Sequence, residues 1–154
     1  MPRCVIREAE AGDAPVWIAM RAQLWPDESA RLLAQEANTY FASRGRAIAL
    51  LAFDGDNEAV GFAEATIRTD YVNGTDSSPV GFLEGWYVAP GWRALGVGRA
   101  LVAAVEQWTR EHGCAELASD TWLDRVDSQR AHVACGFEET ERIVFFRKRL
   151  SAAG

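Results

Sequence analysis

The chain contains 154 residues, 49% of them apolar and 25% charged, and carries a formal net charge of −6. This composition argues against a wholly disordered chain, and we predict one folded domain spanning residues 1–154. The acidic balance argues against nucleic acid as a partner, because nucleic-acid binders usually present a basic face, and it suits a cationic ligand.

The sequence contains no run of 18 apolar residues, so we expect no membrane span. Its first residues, MPRCVIREAE, lack the apolar core of a signal peptide. The three cysteines, Cys4, Cys114 and Cys135, form no C-x-x-C pair, which argues against a disulfide scaffold and against structural zinc. The two histidines have no metal-binding spacing either. We therefore expect a cytoplasmic protein with reduced thiols and no metal.

The chain opens with a predicted strand over residues 5–9 and two helices. The first helix begins after Asp13, which can cap it, and ends near Trp25, because the residue before a proline avoids helical angles. The second helix spans residues 28–43. Apolar side chains at helical spacing give each helix an inward face: Trp17, Met20 and Leu24 on the first, and Leu33, Ala37, Tyr40 and Phe41 on the second.

Three strands are predicted next, over residues 47–53, 60–71 and 79–88, and Asn73-Gly74 indicates a hairpin between the last two. A loop then leads into a helix that Gly113 terminates. The inward face of that helix consists of Leu101, Val102, Val105 and Trp108.

The remaining predicted elements are a short strand over residues 116–119, a helix capped by Asp124 that ends at Gly136, and a last strand over residues 143–149. A short extra strand near Phe137 is an open alternative. The order β-α-α-β-β-β-α-β-α-β, with a central antiparallel meander, predicts a mixed α/β fold rather than a doubly wound parallel sheet.

The pattern Arg93-x-x-Gly96-x-Gly98 lies between a predicted strand and a predicted helix. Glycines let backbone N–H groups converge on one point, and the helix N-terminus adds a partial positive charge. The pattern therefore suits a pyrophosphate, although a glycine-rich turn that binds nothing has the same sequence. It has neither the third glycine of a dinucleotide-binding turn nor the Gly-Lys-Ser/Thr of a nucleotidase loop.

Two segments stand in the order found in one enzyme superfamily. Residues 88–101 (V-x-P-x-W-R-x-x-G-V-G-x-x-L) resemble the acetyl-CoA-binding motif of the GCN5-related N-acetyltransferase (GNAT) superfamily. Residues 131–137 (AHVACGF) resemble the superfamily's next motif, which ends in Gly-Phe. The resemblance implies the GNAT fold, with a central mixed and mostly antiparallel sheet flanked by helices, and acetyl-CoA as the co-substrate.

A closer resemblance, over residues 17–148, is to the aminoglycoside 6′-N-acetyltransferases of the chromosomal Gram-negative subfamily. The most specific segment is residues 70–75 (DYVNGT). The others are Glu64-Ala65-x-x-Arg68, residues 78–80 (SPV), 82–85 (FLEG), 118–120 (ASD) and 136–141 (GFEETE). This resemblance implies acetyl transfer to the 6′-amine of aminoglycosides such as kanamycin or tobramycin, which gives antibiotic resistance.

The resemblance also assigns residues to acetyl-CoA. It implies that the backbone of Trp86, Tyr87 and Val88 pairs with the pantetheine arm, and that an N–H near Val88 polarises the thioester carbonyl. Arg125 stands where the superfamily often has an asparagine that contacts this arm, and its cation could reach a phosphate instead. The residues expected to hold the pyrophosphate are Arg93, Ala94, Leu95, Gly96, Val97, Gly98 and Arg99.

The substrate is a polycation, so the resemblance implies carboxylates around it. Glu84, Asp120 and Glu141 match the subfamily's substrate-binding acids, at or near three strand ends, and Trp25 and Tyr71 match the aromatic positions that flank the sugar rings. Taken singly, each acid is also readable as a solvated surface charge. Each aromatic residue is equally readable as part of the core.

Proton transfer has three candidate groups. Asp120 is the first candidate to accept the amine's proton, directly or through water, with a purely electrostatic anchor as the alternative role. Glu84 is the second candidate. His132 occupies the position where the superfamily often has a tyrosine that protonates the leaving thiolate, and a histidine can do so near neutral pH. A packing role for His132 stays open.

Two other functions remain open from the sequence. One is acetylation of a polyamine, a small metabolite or a peptide amine, which an acidic site would also suit. The other is a non-catalytic acetyl-CoA-binding module, because a fold does not by itself confer activity. Members of the subfamily are often homodimers, and we expect one here, with the strand over residues 60–71 and the last strand as candidates for pairing between subunits.

Overall fold

The computed structural model describes residues 3–152, which divide into two compact units between Asp120 and Thr121. The first unit contains the sheet and three helices, and the second contains one helix and the C-terminal segment. The strands are β1 (Val5–Glu8), β2 (Ala47–Phe53), β3 (Ala59–Arg68), β4 (Val80–Val88) and β5 (Leu117–Ser119). The helices are α1 (Ala14–Leu24), α2 (Ala30–Ala42), α3 (Val97–Glu111) and α4 (Val126–Ala134), with short 3₁₀ helices at Ala11–Asp13 and Pro90–Trp92.

The sheet has the strand order β1-β2-β3-β4-β5. The first three pairings are antiparallel and the last, β4 with β5, is parallel. This arrangement confirms the prediction of a mixed, mostly antiparallel sheet. The β4–β5 pairing ends at Leu83 and Ser119, although β4 itself continues to Val88. The second half of β4 therefore has a strand neighbour on the β3 side only, within the described residues.

The two faces of the sheet carry different helices because successive side chains of a strand point to opposite sides. Trp17 and Met20 of α1 belong to one buried cluster with Phe62 of β3. On the other face, the missing side chain of Gly61 makes room for Leu101 of α3, whose Cδ1 would lie 3.3 Å from a Cβ at that position. Helices α1 and α2 thus cover the Phe62 side, and α3 covers the Gly61 side.

One ion pair is buried between α1 and the sheet. Arg21 is only 4% exposed, and its Nε donates to Glu64 Oε1 of β3 at 2.5 Å. Its other nitrogens donate to the Leu33 carbonyl at 2.9 Å and to Glu36 Oε2 at 3.2 Å, both on α2. A guanidinium offers five donors in a fixed planar fork, so this one side chain joins α1, α2 and β3.

Most sequence predictions for the first unit are confirmed. Helix α1 ends at Leu24, one residue before Trp25, and α2 lies within the predicted residues 28–43. The inward faces of α1, α2 and α3 contain the predicted residues, and Gly113 follows α3 with φ +76°, a left-handed conformation that suits glycine. The predicted strands are found with their ends moved: β3 stops at Arg68 rather than at residue 71, and residues 69–79 form a long connection.

Four local predictions are wrong. Asp13 does not cap α1 through its side chain, because its carboxylate accepts from the Glu10 N–H and from Arg7. Asp124 does not cap α4, which begins at Val126 after Arg125 without a side-chain cap. No strand forms near Phe137 or over residues 143–149. A strand needs a neighbour to accept its ladder hydrogen bonds, and none pairs with these segments among the described residues.

The second unit consists of α4 and an irregular C-terminal segment. Five large apolar side chains of this segment are each more than half exposed: Ile143, Val144, Phe145, Phe146 and Leu150. An ordinary monomer surface rarely keeps so many large apolar side chains together. The single-domain prediction for residues 1–154 stays a prediction.

We predict that Arg21→Met lowers the free energy of unfolding by about 3–5 kcal/mol, because it leaves the Glu64 carboxylate buried without its cation. The double variant Arg21→Met/Glu64→Leu should recover much of the loss, since apolar residues often replace a buried pair at little cost. Urea denaturation measures both variants. Arg110→Met, which removes an exposed helical pair with Glu106, is the control and should change stability by less than about 0.5 kcal/mol. Equal losses at positions 21 and 110 would contradict the prediction.

Candidate functional site

Strand β4 contains a β-bulge at Glu84. In the β3–β4 pairing, Glu64 faces Gly85 and Ala65 faces Leu83, so Glu84 is an extra residue without a direct partner. A bulge of this kind changes the alternation of side chains along the strand. Phe82 pairs with Thr66 and Gly85 with Glu64, and residues 64 and 66 of β3 share a face. Phe82 and Gly85 therefore both belong to the α1 side of the sheet.

The bulge gives the two faces of β4 different chemistry. Glu84 and Gly85 lie against residues of the α1 side, as the contacts of Glu84 with Thr66 and of Gly85 with Trp25 show. Trp86 lies on the α3 side, where its Nε1 donates to the Gly98 carbonyl at 3.1 Å. One strand thus carries a carboxylate on one face and supports the glycine loop on the other.

Glu84 is held by two residues of β3. Its Oε1 accepts from Thr66 Oγ1 at 2.7 Å, from Arg68 Nε at 3.2 Å and from Arg68 Nη2 at 2.7 Å. Its Oε2 accepts from Arg68 Nη2 at 2.9 Å. The Arg68 guanidinium carbon also lies 3.6 Å from the centre of the Phe82 ring. The carboxylate is therefore fixed in position and paired with a cation.

Asp120 and Glu84 both come directly after the last pair of β4 with β5. The last β4–β5 pair is Leu83 with Ser119, and the next residue along each strand is Glu84 and Asp120 respectively. Ser119 Oγ donates to the Leu83 carbonyl at 3.3 Å at this point. Asp120 is exposed, and no ion pair within residues 3–120 involves it. The structure therefore brings two of the three predicted acids to the place where β4 and β5 separate.

The two predicted aromatic residues differ in their surroundings. Trp25 is half-buried between β4 and Arg21, with its ring 6.3 Å from that of Phe62 and 5.0 Å from the guanidinium carbon of Arg21. Tyr71 lies in the connection between β3 and β4 and is 76% exposed, whereas the adjacent Val72 is buried. A core role is thus excluded for Tyr71, and its ring is accessible to a ligand.

A cavity of about 400 Å³ extends from Glu84 between the sheet and helices α1 and α2. Glu64 lines this cavity, and its burial raises its pKa above the ordinary value, against the opposing effect of the donors Arg21 and Trp17. The other principal lining side chains are Trp17, Arg21, Trp25, Glu36, Tyr40 and Glu84. Acidic and aromatic groups therefore continue beyond the predicted site.

Sequence reasoning gave no role to Thr66, Arg68 or the Arg21–Glu64 pair, although Glu64 and Arg68 were part of a matching segment. A signal for Glu64 exists, because a charged residue stands in the middle of the apolar strand β3. A signal for Arg68 requires knowledge of how β3 pairs with β4. The hairpin pattern indicates that the two strands pair, but it does not fix their register.

Gly96 and Gly98 each have an identifiable role in the loop and the start of α3. Gly96 precedes α3 with φ +90°, a left-handed conformation that glycine adopts without strain. Gly98 lies in the first turn, where an added Cβ would meet the Trp86 indole at 3.2–3.5 Å. Trp86 thus holds the start of the 15-residue helix α3 directly against β4.

The rest of the loop folds back onto the end of β4. Arg93 Nε donates to the Val88 carbonyl at 2.9 Å, and Ala94 has φ +62°, which costs energy for a residue with a side chain. The first-turn N–H groups of an α-helix have no acceptor within the helix, so they can bind an anion. The predicted cofactor residues 86–88 and 93–99 are therefore contiguous in space, and their backbone suits a pyrophosphate.

Three predicted site residues lie in the second unit. In α4, His132 Nδ1 is 2.7 Å from the Ser128 carbonyl, and the ring packs 5.2 Å from that of Phe137. Arg125 is exposed and precedes α4, and Glu141 is exposed in the C-terminal segment. The roles predicted for these three residues stay predictions.

No group of three His, Cys, Asp or Glu residues is arranged to hold a metal ion in residues 3–152. Cys4, Cys114 and Cys135 are free thiols. In the same range, no helix combines the length and the apolar character needed to cross a membrane.

Known proteins are similar to most of the length of this chain. The acetyltransferase (GNAT) family profile matches residues 12–137. Two relatives carry the name aminoglycoside N(6′)-acetyltransferase type 1. The protein of Stenotrophomonas maltophilia is 54% identical over 145 residues, covering 94% of this chain and 93% of its own, and that of Serratia marcescens is 46% identical over 142 residues, covering 87% and 91%.

Solved structures with similar folds include AAC(6′)-Iy in complex with the bisubstrate analogue CoA-S-monomethyl-acetylneamine. That chain has a TM-score of 0.89 and 42% sequence identity, with 96% of this chain and 99% of that chain covered. AAC(6′)-Ih from Acinetobacter baumannii has a TM-score of 0.90 and 40% identity, with 97% and 100% covered.

We predict that Gly85→Ala lowers the free energy of unfolding by about 1–3 kcal/mol, the usual range for overpacking. Its Cβ would lie 2.6 Å from Cη2 of Trp25, so the indole must leave β4. Urea denaturation measures the loss. In the background of Trp25→Phe the same change should cost less than about 1 kcal/mol, because a smaller ring leaves room. Gly55→Ala, where a Cβ meets nothing within 4 Å, is the control. A loss at Gly85 that does not depend on residue 25 would contradict the prediction.

Proposed function

This chain belongs to the GNAT family of acetyltransferases, and we propose that it transfers the acetyl group of acetyl-CoA to the 6′-amine of aminoglycosides and so confers resistance to them. The relatives that match 94% and 87% of this chain carry that activity in their names. The observation that carries the proposal is the separation of β4 from β5 after Leu83. Glu84 and Asp120 each follow the last β4–β5 pair, and β4 also supports the glycine loop through Trp86.

Acetyl-CoA supplies the acetyl group as a thioester. Two observations support a site for it: the left-handed Gly96 before α3, and the Cβ-free Gly98 against Trp86. In the proposal, the backbone of Trp86, Tyr87 and Val88 pairs with the pantetheine arm, and the loop from Arg93 to Arg99 holds the pyrophosphate. An N–H near Val88 then polarises the thioester carbonyl, which is where negative charge develops during attack.

The acids have different roles in this proposal. The amine nitrogen forms a bond to the acetyl carbon, the carbon–sulfur bond breaks, and one proton must leave the nitrogen. Asp120 accepts that proton, directly or through water, because it has no ion pair within its unit. Glu84 anchors the substrate, since a proton transferred to Glu84 would leave the charge of Arg68 without its partner. Trp25 and Tyr71 contact the sugar rings.

His132, Arg125 and Glu141 complete the proposal from the second unit. The short contact of His132 Nδ1 with the Ser128 carbonyl favours a proton on Nδ1, so that exchange with the leaving thiolate would use Nε2. Glu141 adds a third acid for the polycation. Arg125 contacts a phosphate or the pantetheine arm.

We further propose that the protein is a homodimer and works in the cytoplasm. The exposed apolar side chains at positions 143–146 and 150 support a second copy as their cover, with this segment pairing as a strand between subunits. The free thiols of the three cysteines suit a reducing compartment.

The release of free thiol from acetyl-CoA tests the function. Purified protein is given a panel of 6′-amino and 6′-hydroxyl aminoglycosides, spermidine and a lysine peptide. Release only with 6′-amino compounds is the expected result. A preference for spermidine or the peptide would identify another amine, and not the antibiotic, as the substrate. If no compound causes thiol release, the remaining interpretation is a non-catalytic module that binds acetyl-CoA.

We predict that Asp120→Asn lowers kcat by about 10²–10⁴, the contribution typical of a general base, and changes the Kd of acetyl-CoA by less than twofold. Steady-state kinetics and calorimetry measure the two effects. Asp56→Asn, the same change in the turn after β2, is the control. A raised KM with an unchanged kcat would make Asp120 an anchor, and an unchanged kcat across the pH range would remove the proton-accepting role.

We predict that Phe146→Asp converts a dimer into a monomer, because a charge on this 91% exposed ring would be buried against the second copy. Light scattering after size exclusion gives the mass, with Leu32→Asp on α2 as the control. A wild-type protein with the mass of one chain would contradict the dimer.

A further inference from the structure

Arg68 is unusual because it already provides a cation to a carboxylate that is proposed to bind a cationic substrate. Its guanidinium bonds both oxygens of Glu84 and stacks on Phe82, so it is fixed from two directions. The pair is partly exposed, with 42% of the Arg68 side chain and 31% of the Glu84 side chain accessible. A substrate can therefore reach Glu84 without displacing Arg68.

The hydrogen bonds of Glu84 leave little capacity for a ligand. A carboxylate has about four lone-pair sites on its two oxygens. Three donors already crowd Oε1, namely Thr66 Oγ1 and two nitrogens of Arg68, and one donor occupies Oε2. One acceptor site remains, on Oε2. It suits a single N–H of an incoming amine.

The charge of the pair determines which form of the amine is favoured. A free carboxylate stabilises an ammonium over a neutral amine, whereas a carboxylate beside a guanidinium gains little from a second cation, which the guanidinium also repels. Only the neutral amine has the lone pair that attacks a thioester carbon. Arg68 thus favours the reactive form at the place where the substrate binds.

We propose that Arg68 is a positioning residue that, by neutralising Glu84, makes the acceptor amine bind there as the neutral nucleophile rather than as the ammonium. This inference rests on the proposed function. On binding, the substrate ammonium loses its proton to the solvent, and the neutral nitrogen donates one N–H to Glu84 Oε2. The bond-forming step is the one already given, and Asp120 takes the proton that leaves during attack.

Other charged groups surround Glu84 within the first unit. The same cavity is lined by Arg21 of α1, by Glu36 and Tyr40 of α2, and by Glu64 of β3. Arg44, which follows α2, also lines it and pairs with Glu8. Asp120 follows β5. Arg21 neutralises Glu64 in the way that Arg68 neutralises Glu84, so Asp120 is the carboxylate beside Glu84 without an ion pair within that unit. The effect of Arg68 is therefore local to Glu84.

The test is Arg68→Gln, which removes the cation and keeps a polar side chain. With kanamycin we expect its KM at pH 7 to fall about three- to tenfold, because an unpaired Glu84 attracts the ammonium. The acid limb of the pH profile of kcat, where activity falls as the pH is lowered, should move to higher pH by ~0.5–1 unit. The profile of kcat reports titration in the bound complex. The acid limb of kcat/KM should stay in place, because it reports free enzyme and free substrate.

Calorimetry gives an independent readout. Binding of kanamycin measured in two buffers of different ionisation enthalpy counts the protons released, and we expect Arg68→Gln to release fewer than the wild type. Arg68→Lys retains the charge without the bidentate geometry, so its kcat limb should remain close to that of the wild type while its KM rises.

Arg7→Gln is a matched control for loss of a cation. Arg7 also makes a bidentate pair, with Asp13, and its guanidinium carbon lies 4.2 Å from the centre of the Phe53 ring. Arg7→Gln should leave the acid limbs of both kcat and kcat/KM in place. An unmoved kcat limb and unchanged proton release in Arg68→Gln would overturn the inference, even if its KM falls as expected. If the wild type acetylates none of the 6′-amino compounds, the proposed function itself is contradicted.

Discussion

The site depends on the point at which β4 loses β5 as a neighbour. Buried backbone N–H and C=O groups need partners, and a strand that ends its pairing early must meet another acceptor or donor on that side. Here the pairing stops at Leu83 while β4 runs on to Val88. An extended ligand arm is a suitable partner for the remaining backbone, because it can supply alternating donors and acceptors in the same way as a strand.

Two guanidinium–carboxylate pairs on β3 illustrate how environment decides the role of an ion pair. Arg21 and Glu64 are nearly inaccessible, so their charges have no other partner than each other, Glu36 and neighbouring dipoles. Desolvation makes such a pair costly to break and unsuited to exchange with a ligand. Arg68 lies four residues beyond Glu64 on the same face of β3, and its partner Glu84 lies on β4. This second pair remains in contact with water. The same chemistry is structural in the interior and available to a substrate near the surface.

The sequence allowed most elements to be predicted because their signals are local. Apolar spacing in α1 to α3, Pro26 after Trp25, and Gly113 after α3 each act within a few residues. The glycine loop is also predictable from the sequence. Gly96 is required by a local backbone conformation, and Gly98 by the limited space next to it. The bulge at Glu84 and its bonds to Thr66 and Arg68 were not readable, because they depend on the register between two strands.

The segment over residues 143–149 shows a different limit. Its pattern of apolar residues predicts a strand, yet a strand is a property of two paired segments and not of one. No neighbour is present for it among residues 3–152, so the pattern and the observed conformation differ. The roles of Asp120, His132 and Glu141 came from resemblance, since nothing in the local sequence separates a working acid or histidine from a solvated one.

The bulge in β4 also has a consequence for how this enzyme can evolve. Because Glu84 and Gly85 belong to one face and Trp86 to the other, substitutions among the residues proposed to contact the substrate need not disturb the loop proposed to contact the cofactor. Antibiotic spectrum and cofactor affinity can then be selected separately. For the same reason, an inhibitor that extends along only the loop side would lose little affinity when variants with an altered spectrum arise.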